Sequence, residues 1–475
     1  MMRKFAVTAL ILILAINNTA CAQEQELIRQ DLWKNPDAVD YLGENTLPSS
    51  YDLRPEGRVP PVKDQDPWGT CWAFAATASM ESTYMTAHES ADIDLSEMFP
   101  AWFVYKSPGE GKSFGLPNPR KDILHQSGTA YQINAIFSRL GTVSEDVLPY
   151  PSGKSSYQKP DKLPEEYVKT DIILQESYQL GMIKGDAMIK LVKKLIITKG
   201  AVYAHYYSRD SVYHKGSRGT SYFNNSKSSR NTNHAVILIG WDDNYSRENF
   251  KTHPAKNGAW LVQNSRGSSW GDNGCFWLSY EQYIDSAALF IAEKELTLTK
   301  HYGYDDLGCT GGLGSKNSSA WAANVFRSGG HELLTEIAFY TMDNNATCEA
   351  YIYRLGKEKP LSPVSASCSA SIPETKIKFA GYHRVKLPES LELNEGEYFS
   401  VVINMLTPDY KYPIAIETRT GINKSVLVNE NESYFAISDS DSKSGPSNLK
   451  WYEGVKDFPT PRNACIKAFT VEINN

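Results

Sequence analysis

No C-x-x-C pair occurs among the seven cysteines of this 475-residue chain, which stand at positions 21, 71, 275, 309, 348, 368 and 465. Zinc-ribbon and thioredoxin-type readings are thereby poor. There is no excess of positive charge: a formal net charge of −6 gives no electrostatic reason to expect nucleic acid or an anionic membrane as partner. Beyond Ile16 no window is long and apolar enough to cross a bilayer as a helix. His331-Glu332-Leu333-Leu334-Thr335 opens like a zinc-binding helix but lacks the second His, so it reads as structural. Gly308 to Gly314 is glycine-rich without a phosphate-binding Lys or a following helical pattern, and reads as loop. No metal site and no cofactor are expected. Asp343-Asn344-Asn345 has oxygens of the kind calcium takes, and reads first as a bare turn.

What is present is ordinary globular composition, with 41% hydrophobic and 22% charged residues, in a chain long enough for two folded domains plus tails. Residues 1–22 have the layout of a secretory signal: Arg3-Lys4, an apolar run from Phe5 to Ile16, and Ala20-Cys21-Ala22 as a cleavage site. Cys21 offers a second reading, lipidation and membrane tethering; membrane is a partner only in that case. Residues 23–46 are polar and read as a short pro-like segment or a strap.

The densest chemistry lies in Gln65 to Met80, QDPWGTCWAFAATASM. Cys71 opens a run of good helix formers with Thr70 as N-cap, which places the thiol where orphan N–H groups and the helix dipole favour a thiolate. Gln65 is an amide donor near enough to hold a negative oxygen formed beside the sulfur. His234 immediately precedes a β-branched run, and Asn264 ends a second strand-like run, Gly258 to Gln263. Singly these read as a core thiol, a core histidine, a strand-end cap and a surface amide.

Val62 to Ala75, with the phrases around His234 and Asn264, resembles the papain-like cysteine peptidases. The order Cys, His, Asn matches, although the 163 and 193 residues from Cys71 to His234 and Asn264 exceed the usual spacing; insertions such as 206–231 and 243–257 account for it. The resemblance implies a catalytic domain over residues 47–296, with a helical lobe and a β-barrel-like lobe. It implies Cys71, His234, Asn264 and Gln65 as catalytic residues, a protein or peptide substrate, and substrate contacts at Gly128, Asn233, Ala235 and Trp270. The small Ala235 suggests room for an apolar side chain at P2. Two departures stand out. Trp68 occupies the place of a family Cys, so that disulfide is expected to be absent, and Arg266 replaces a Trp that shields the His–Asn hydrogen bond.

From about Lys300 short apolar runs alternate with turns: Leu333 to Tyr340, Ala350 to Arg354, Ile377 to Tyr382, Tyr398 to Asn404, Ile414 to Thr418 and Ala464 to Val471. Residues 297–475 are therefore expected to form an antiparallel β-sandwich, giving an α+β chain. Ser319 to Phe326 and Gly396 to Val402 resemble the lectin-like domain that accompanies papain-type peptidases in bacterial surface proteins, such as the clostridial cell-wall peptidases that process surface-layer protein. That likeness implies, by analogy of shape, either a cell-surface glycan as a second partner or a domain that packs against and shields the catalytic unit. Cys348 with Cys368, and Cys309 with Cys465, are candidate disulfides or buried thiols. The expected function is a secreted cysteine endopeptidase; the competing class is a non-catalytic surface adhesin on the same scaffold.

Overall fold

The computed structural model describes residues 47–89, 92–104, 124–151, 172–294, 299–314, 318–418, 426–436 and 445–473. The signal-like and pro-like segments, Cys21 included, lie outside them. Four helices are described: α1 (Cys71–Ala87), α2 (Met98–Phe103), α3 (Ala130–Arg139) and α4 (Gly185–Lys199). The strands before residue 295 are β1 (Ser50–Asp52), β2 (Ile172–Gly181), β3 (Val202–Tyr206), β4 (His214–Gly216), β5 (Gly219–Tyr222), β6 (His234–Asp242), β7 (Ala259–Gln263), β8 (Cys275–Ser279) and β9 (Ile284–Lys294). They pair in the order β2-β9-β3-β6-β7-β8-β5-β4.

α1 has no solvent face. Residues on all its sides are buried, as expected of a helix without an amphipathic stripe. It packs chiefly on β6 and β9. Three of its interior hydroxyls tie it to neighbouring segments, as expected because a buried polar group without a partner is costly. Ser79 donates to Ala201 O at 2.8 Å, Ser82 to Arg58 O at 2.6 Å and Thr83 to Phe290 O at 2.8 Å. Close crossing requires Gly200, at φ 120°, because a Cβ there would lie 2.8 Å from Ser82 O.

The remaining strands are β10 (Thr299–Tyr302), β11 (Gly311–Leu313), β12 (Ser319–Arg327), β13 (Glu332–Thr341), β14 (Ala346–Gly356), β15 (Ala370–Ile377), β16 (Gly381–Leu393), β17 (Tyr398–Leu406), β18 (Ile414–Thr418), β19 (Ser433–Ala436), β20 (Tyr452–Glu453), β21 (Arg462–Ala464) and β22 (Ile466–Glu472). One sheet, β15-β14-β17-β12-β19-β20, faces the run β10-β22-β13-β16. Ile337, Phe339, Phe399, Val401 and Ile403 fill the core between them. This is the sandwich expected from the sequence.

Two strand expectations change. Ile377 to Tyr382 straddles the connection between β15 and β16, its apolar residues being buried in a turn; the Gly308 to Gly314 loop contains the short strand β11, paired with β18. In the Asp343–Asn345 turn, Asp343 Oδ1 accepts from the Asn344 N–H at 2.9 Å and Asn344 Oδ1 from the Ala380 N–H at 3.0 Å. Glu332 is buried and accepts from Lys300, Tyr302 and Thr470 at 2.7 to 2.9 Å, a structural role as read.

The two halves share a sheet. β2 pairs with β9 along its length and touches β16 at Glu176 and His383. Gly381, at φ 141°, permits this, because a Cβ would meet Ser177 O at 1.9 Å. β13 is apolar on both faces for the same reason: Ile337 and Phe339 face the sandwich core, Ala338 and Tyr340 the peptidase side.

The described cysteines are all free thiols. Cys348 and Cys368 cannot bridge as placed: the Cys368 sulfur lies on Ile352 O (3.5 Å), four residues along β14 from Cys348, about 13 Å at strand rise. Cys309 and Cys465 stand side by side, thiol to thiol.

Candidate active site

The nucleophile candidate is placed by packing around the first turn of α1. Thr70 precedes the helix, but its hydroxyl does not cap it; Thr70 Oγ1 shares a 2.5 Å hydrogen bond with Tyr150 OH. Ala73 and Phe74 N–H donate to Thr70 O, and the Cys71 and Trp72 N–H groups are left for the sulfur. Cys71 is buried, and the N–H groups of Cys71, Trp72 and Ala235 surround its sulfur. Burial pushes the thiol up, and those N–H groups with the nearby Arg266 charge oppose it.

Trp72 fixes the rim. Its indole Nε1 donates to Gln126 O at 3.0 Å, and its ring lies so close to Gly128 that a Cβ there would stand 2.1 Å away. Around Trp68, where the family has a Cys, the chain is tied to residues 124–125 without a disulfide. Gly69 N–H donates to Leu124 O at 2.9 Å, and the Trp68 ring meets His125 edge-on at 5.2 Å.

His234 begins β6, and Asn264 follows β7, its neighbour in the sheet. Asn264 Oδ1 accepts from His234 Nε2 at 2.8 Å and from the Ser265 N–H at 2.9 Å. This fixes the proton on Nε2 and leaves the Nδ1 lone pair free. Burial drives His234 down to about 4; the Asn264 hydrogen bond opposes that, and the Arg266 charge adds to it. His234 and Asn264 are 7% and 3% exposed, so replacement of the shielding Trp by Arg266 does not open the pair to water. Tyr206 covers it instead, its ring edge-on to His234 at 5.9 Å.

Gln65 is positioned from both ends. Its Nε2 donates to Trp68 O at 2.8 Å and its Oε1 accepts from Ser265 Oγ at 2.6 Å, while Tyr150 OH donates to Gln65 O at 3.0 Å. One amide hydrogen remains available. Under this segment Lys63 Nζ sits among Asp94 (2.6 Å), Glu97 (2.8 Å) and Glu81 (3.1 Å). Burial pushes Glu81 up to about 7, against the pull of Lys63.

The four catalytic candidates therefore converge. The expected substrate contacts do so less evenly. Gly128 lies on the wall beside Trp72, and Trp270 packs on Tyr213 (5.1 Å) and Phe276 (5.7 Å). Asn233 is exposed with its amide engaged by Ser208, accepting from N–H at 2.7 Å and donating to O at 3.1 Å. Ala235 is fully buried, and its N–H reaches the Cys71 sulfur.

Sequence reasoning missed Tyr150, Tyr206, Tyr213 and Ser265. Only the Pro149-Tyr150-Pro151 turn carried a local signal; Tyr206 and Tyr213 act through contacts made by folding of the 206–231 insertion, and Ser265 through its hydroxyl on Gln65.

Residues 47–99 and 125–288 match the papain family cysteine protease domain, and residues 301–470 match the lectin like domain. The chain is 28% identical over 232 residues to the oryzain gamma chain of Oryza sativa subsp. japonica, covering 48% of this chain and 54% of that one. To the pro-cathepsin H of Mus musculus it is 27% identical over 274 residues, 55% of this chain and 71% of that one. The chain thus spans between about half and seven-tenths of these relatives. Among solved structures, the cysteine protease and lectin-like domains of Cwp84, a surface layer associated protein of Clostridium difficile, superpose with TM-score 0.71 at 25% identity, over 90% of each chain. The chain is therefore a papain-family cysteine peptidase domain followed by a lectin-like domain.

Proposed function

We propose that the protein is a secreted cysteine endopeptidase that cleaves proteins or peptides through a thioester acyl-enzyme. The observation that carries this reading is the imidazole of His234, fixed by Asn264 beside a sulfur ringed by three N–H groups at a helix N-terminus. In this reading the Cys71 sulfur attacks the peptide carbonyl as its proton passes to His234, which then gives that proton to the leaving amine. Asn264 keeps the ring aimed. The free amide hydrogen of Gln65 and the Cys71 N–H hold the oxyanion. Water, activated by His234, then cleaves the thioester. Gly128 presents backbone to an extended substrate, and Trp270 borders the leaving-group side.

Export rests on residues 1–22; among the described residues no helix is long and apolar enough to cross a membrane. The lectin-like half is proposed to hold the enzyme at glycan-bearing surfaces, tested by a glycan array with the whole chain. The enzymatic reading is tested with an epoxysuccinyl inhibitor. Wild type is expected to be labelled at Cys71 and Cys71→Ala not; an unlabelled, inactive wild type would leave the adhesin reading in its place.

A further inference from the structure

We propose that Arg266 is a specificity determinant, selecting an acidic side chain on the leaving-group side of the scissile bond. This rests on the peptidase reading above. When His234 hands its proton to the leaving amine, the residues that depart with the amine lie on the imidazole side of the sulfur. Arg266 stands on that side, two residues after Asn264, in a segment pinned by the Asp64–Arg266 bridge and by Gly267 N–H donating to Lys63 O at 3.1 Å.

Its guanidinium is held at a defined place. It lies over the rings of Trp270 (5.6 Å) and Tyr213 (5.9 Å). Tyr213 is hydrogen-bonded to Tyr206, whose ring covers His234. A contact chain thus links the charge to the imidazole.

It also has capacity left. The Arg266 side chain is 32% exposed, and among the described residues its one ion pair runs from Nη1 to Asp210 Oδ1 at 2.7 Å. Asp210 is 81% exposed, so that pair is weak. The other N–H groups of this planar fork, suited to two-point carboxylate binding, have no described partner. Lys at this position would give a point charge without the stacking surface.

The test uses two internally quenched peptides that differ only in Glu or Gln immediately after the scissile bond, with the full-length protein at low salt. Wild type is expected to favour Glu by roughly 3- to 10-fold in kcat/KM, as for a partly exposed charge-assisted contact. The ratio falls to about one in Arg266→Gln and rises in Asp210→Asn, which releases the guanidinium and removes a repelling carboxylate. A wild-type ratio of one, or a ratio unchanged in Arg266→Gln, overturns the proposal. Calorimetric binding of the same peptides to Cys71→Ala reads the preference without bond cleavage, and equal affinities there overturn it as well. Glu preference in binding, with no cleavage of either peptide by wild type, supports the charge site while sinking the peptidase reading.

Discussion

His234 and His383 sit in different halves of the molecule and share one electrostatic condition. Both are buried, and burial drives each imidazole down to about 4. What each ring meets differs. His383, on β16, has Nε2 at 3.0 Å from both Thr341 Oγ1 and Phe379 O and packs beside Phe339. His234 has Nε2 held by Asn264, and the N–H of the next residue, Ala235, reaches the Cys71 sulfur at a helix N-terminus. A strongly shifted, buried histidine is therefore no sign of catalysis by itself. The sign is a second ring nitrogen left free opposite a nucleophile.

The sharpest way to break this contrast is to remove the nucleophile. Cys71→Ala is expected to lower kcat on the order of 10⁵- to 10⁶-fold, as when a nucleophile acting in concert with its base is lost. His383→Asn is expected to leave kcat/KM per folded molecule unchanged, checked by active-site titration of both proteins. A comparable loss in His383→Asn would abolish the distinction between the two sites.

Next in size is Gln65→Ala, which removes one oxyanion donor and is expected to cost roughly 10²- to 10³-fold in kcat with little change in KM. Steady-state kinetics on one peptide separates the two constants. An increase in KM alone would move Gln65 from the transition state to substrate binding.

The shared condition of the two rings also predicts shared acid sensitivity. Each folded-state value lies below the ordinary histidine value of 6.5, so the unfolded chain binds protons that the folded chain refuses. The associated stability is present above pH 6.5 and is lost as pH falls toward 4, by about 3 kcal/mol for each ring across that window. Urea midpoints at pH 7 and pH 4.5 measure it. His383→Asn is expected to flatten this dependence, at the cost of about 1–3 kcal/mol at pH 7 from the hydrogen bonds it disturbs.

Much of the site was legible because its parts announce themselves locally. Gln65, Cys71, His234 and Asn264 each lie inside a short phrase whose residue types are dictated by one turn or one strand end. The sandwich was legible as well, through runs such as Tyr398 to Asn404, which lies within β17 (Tyr398–Leu406). What stayed hidden depends on contacts distant in the chain. Tyr206 and Tyr213 took over the shielding from within a stretch that reads as an insertion. The join between the halves rests on Gly381 meeting Ser177, an approach that neither residue signals alone. Cys348 and Cys368 looked like a pair because they flank a hairpin, yet the register sets Cys348 opposite Thr375.

The smallest expected effect tests whether Arg266, which took the place of a shield, also tunes the pair it borders. Its charge pulls both Cys71 and His234 downward. Whichever member takes the first proton on acidification, that proton is disfavoured by the guanidinium. Arg266→Gln therefore moves the acid limb of kcat/KM upward. The shift is expected to be less than about one pH unit, because the guanidinium is partly exposed and paired with Asp210. Asp210→Asn, which leaves the positive charge uncompensated, moves the limb the other way. Profiles of the three proteins on one uncharged substrate decide it: limbs that coincide would confine Arg266 to contacts with substrate and leave the His234 environment to burial and Asn264 alone.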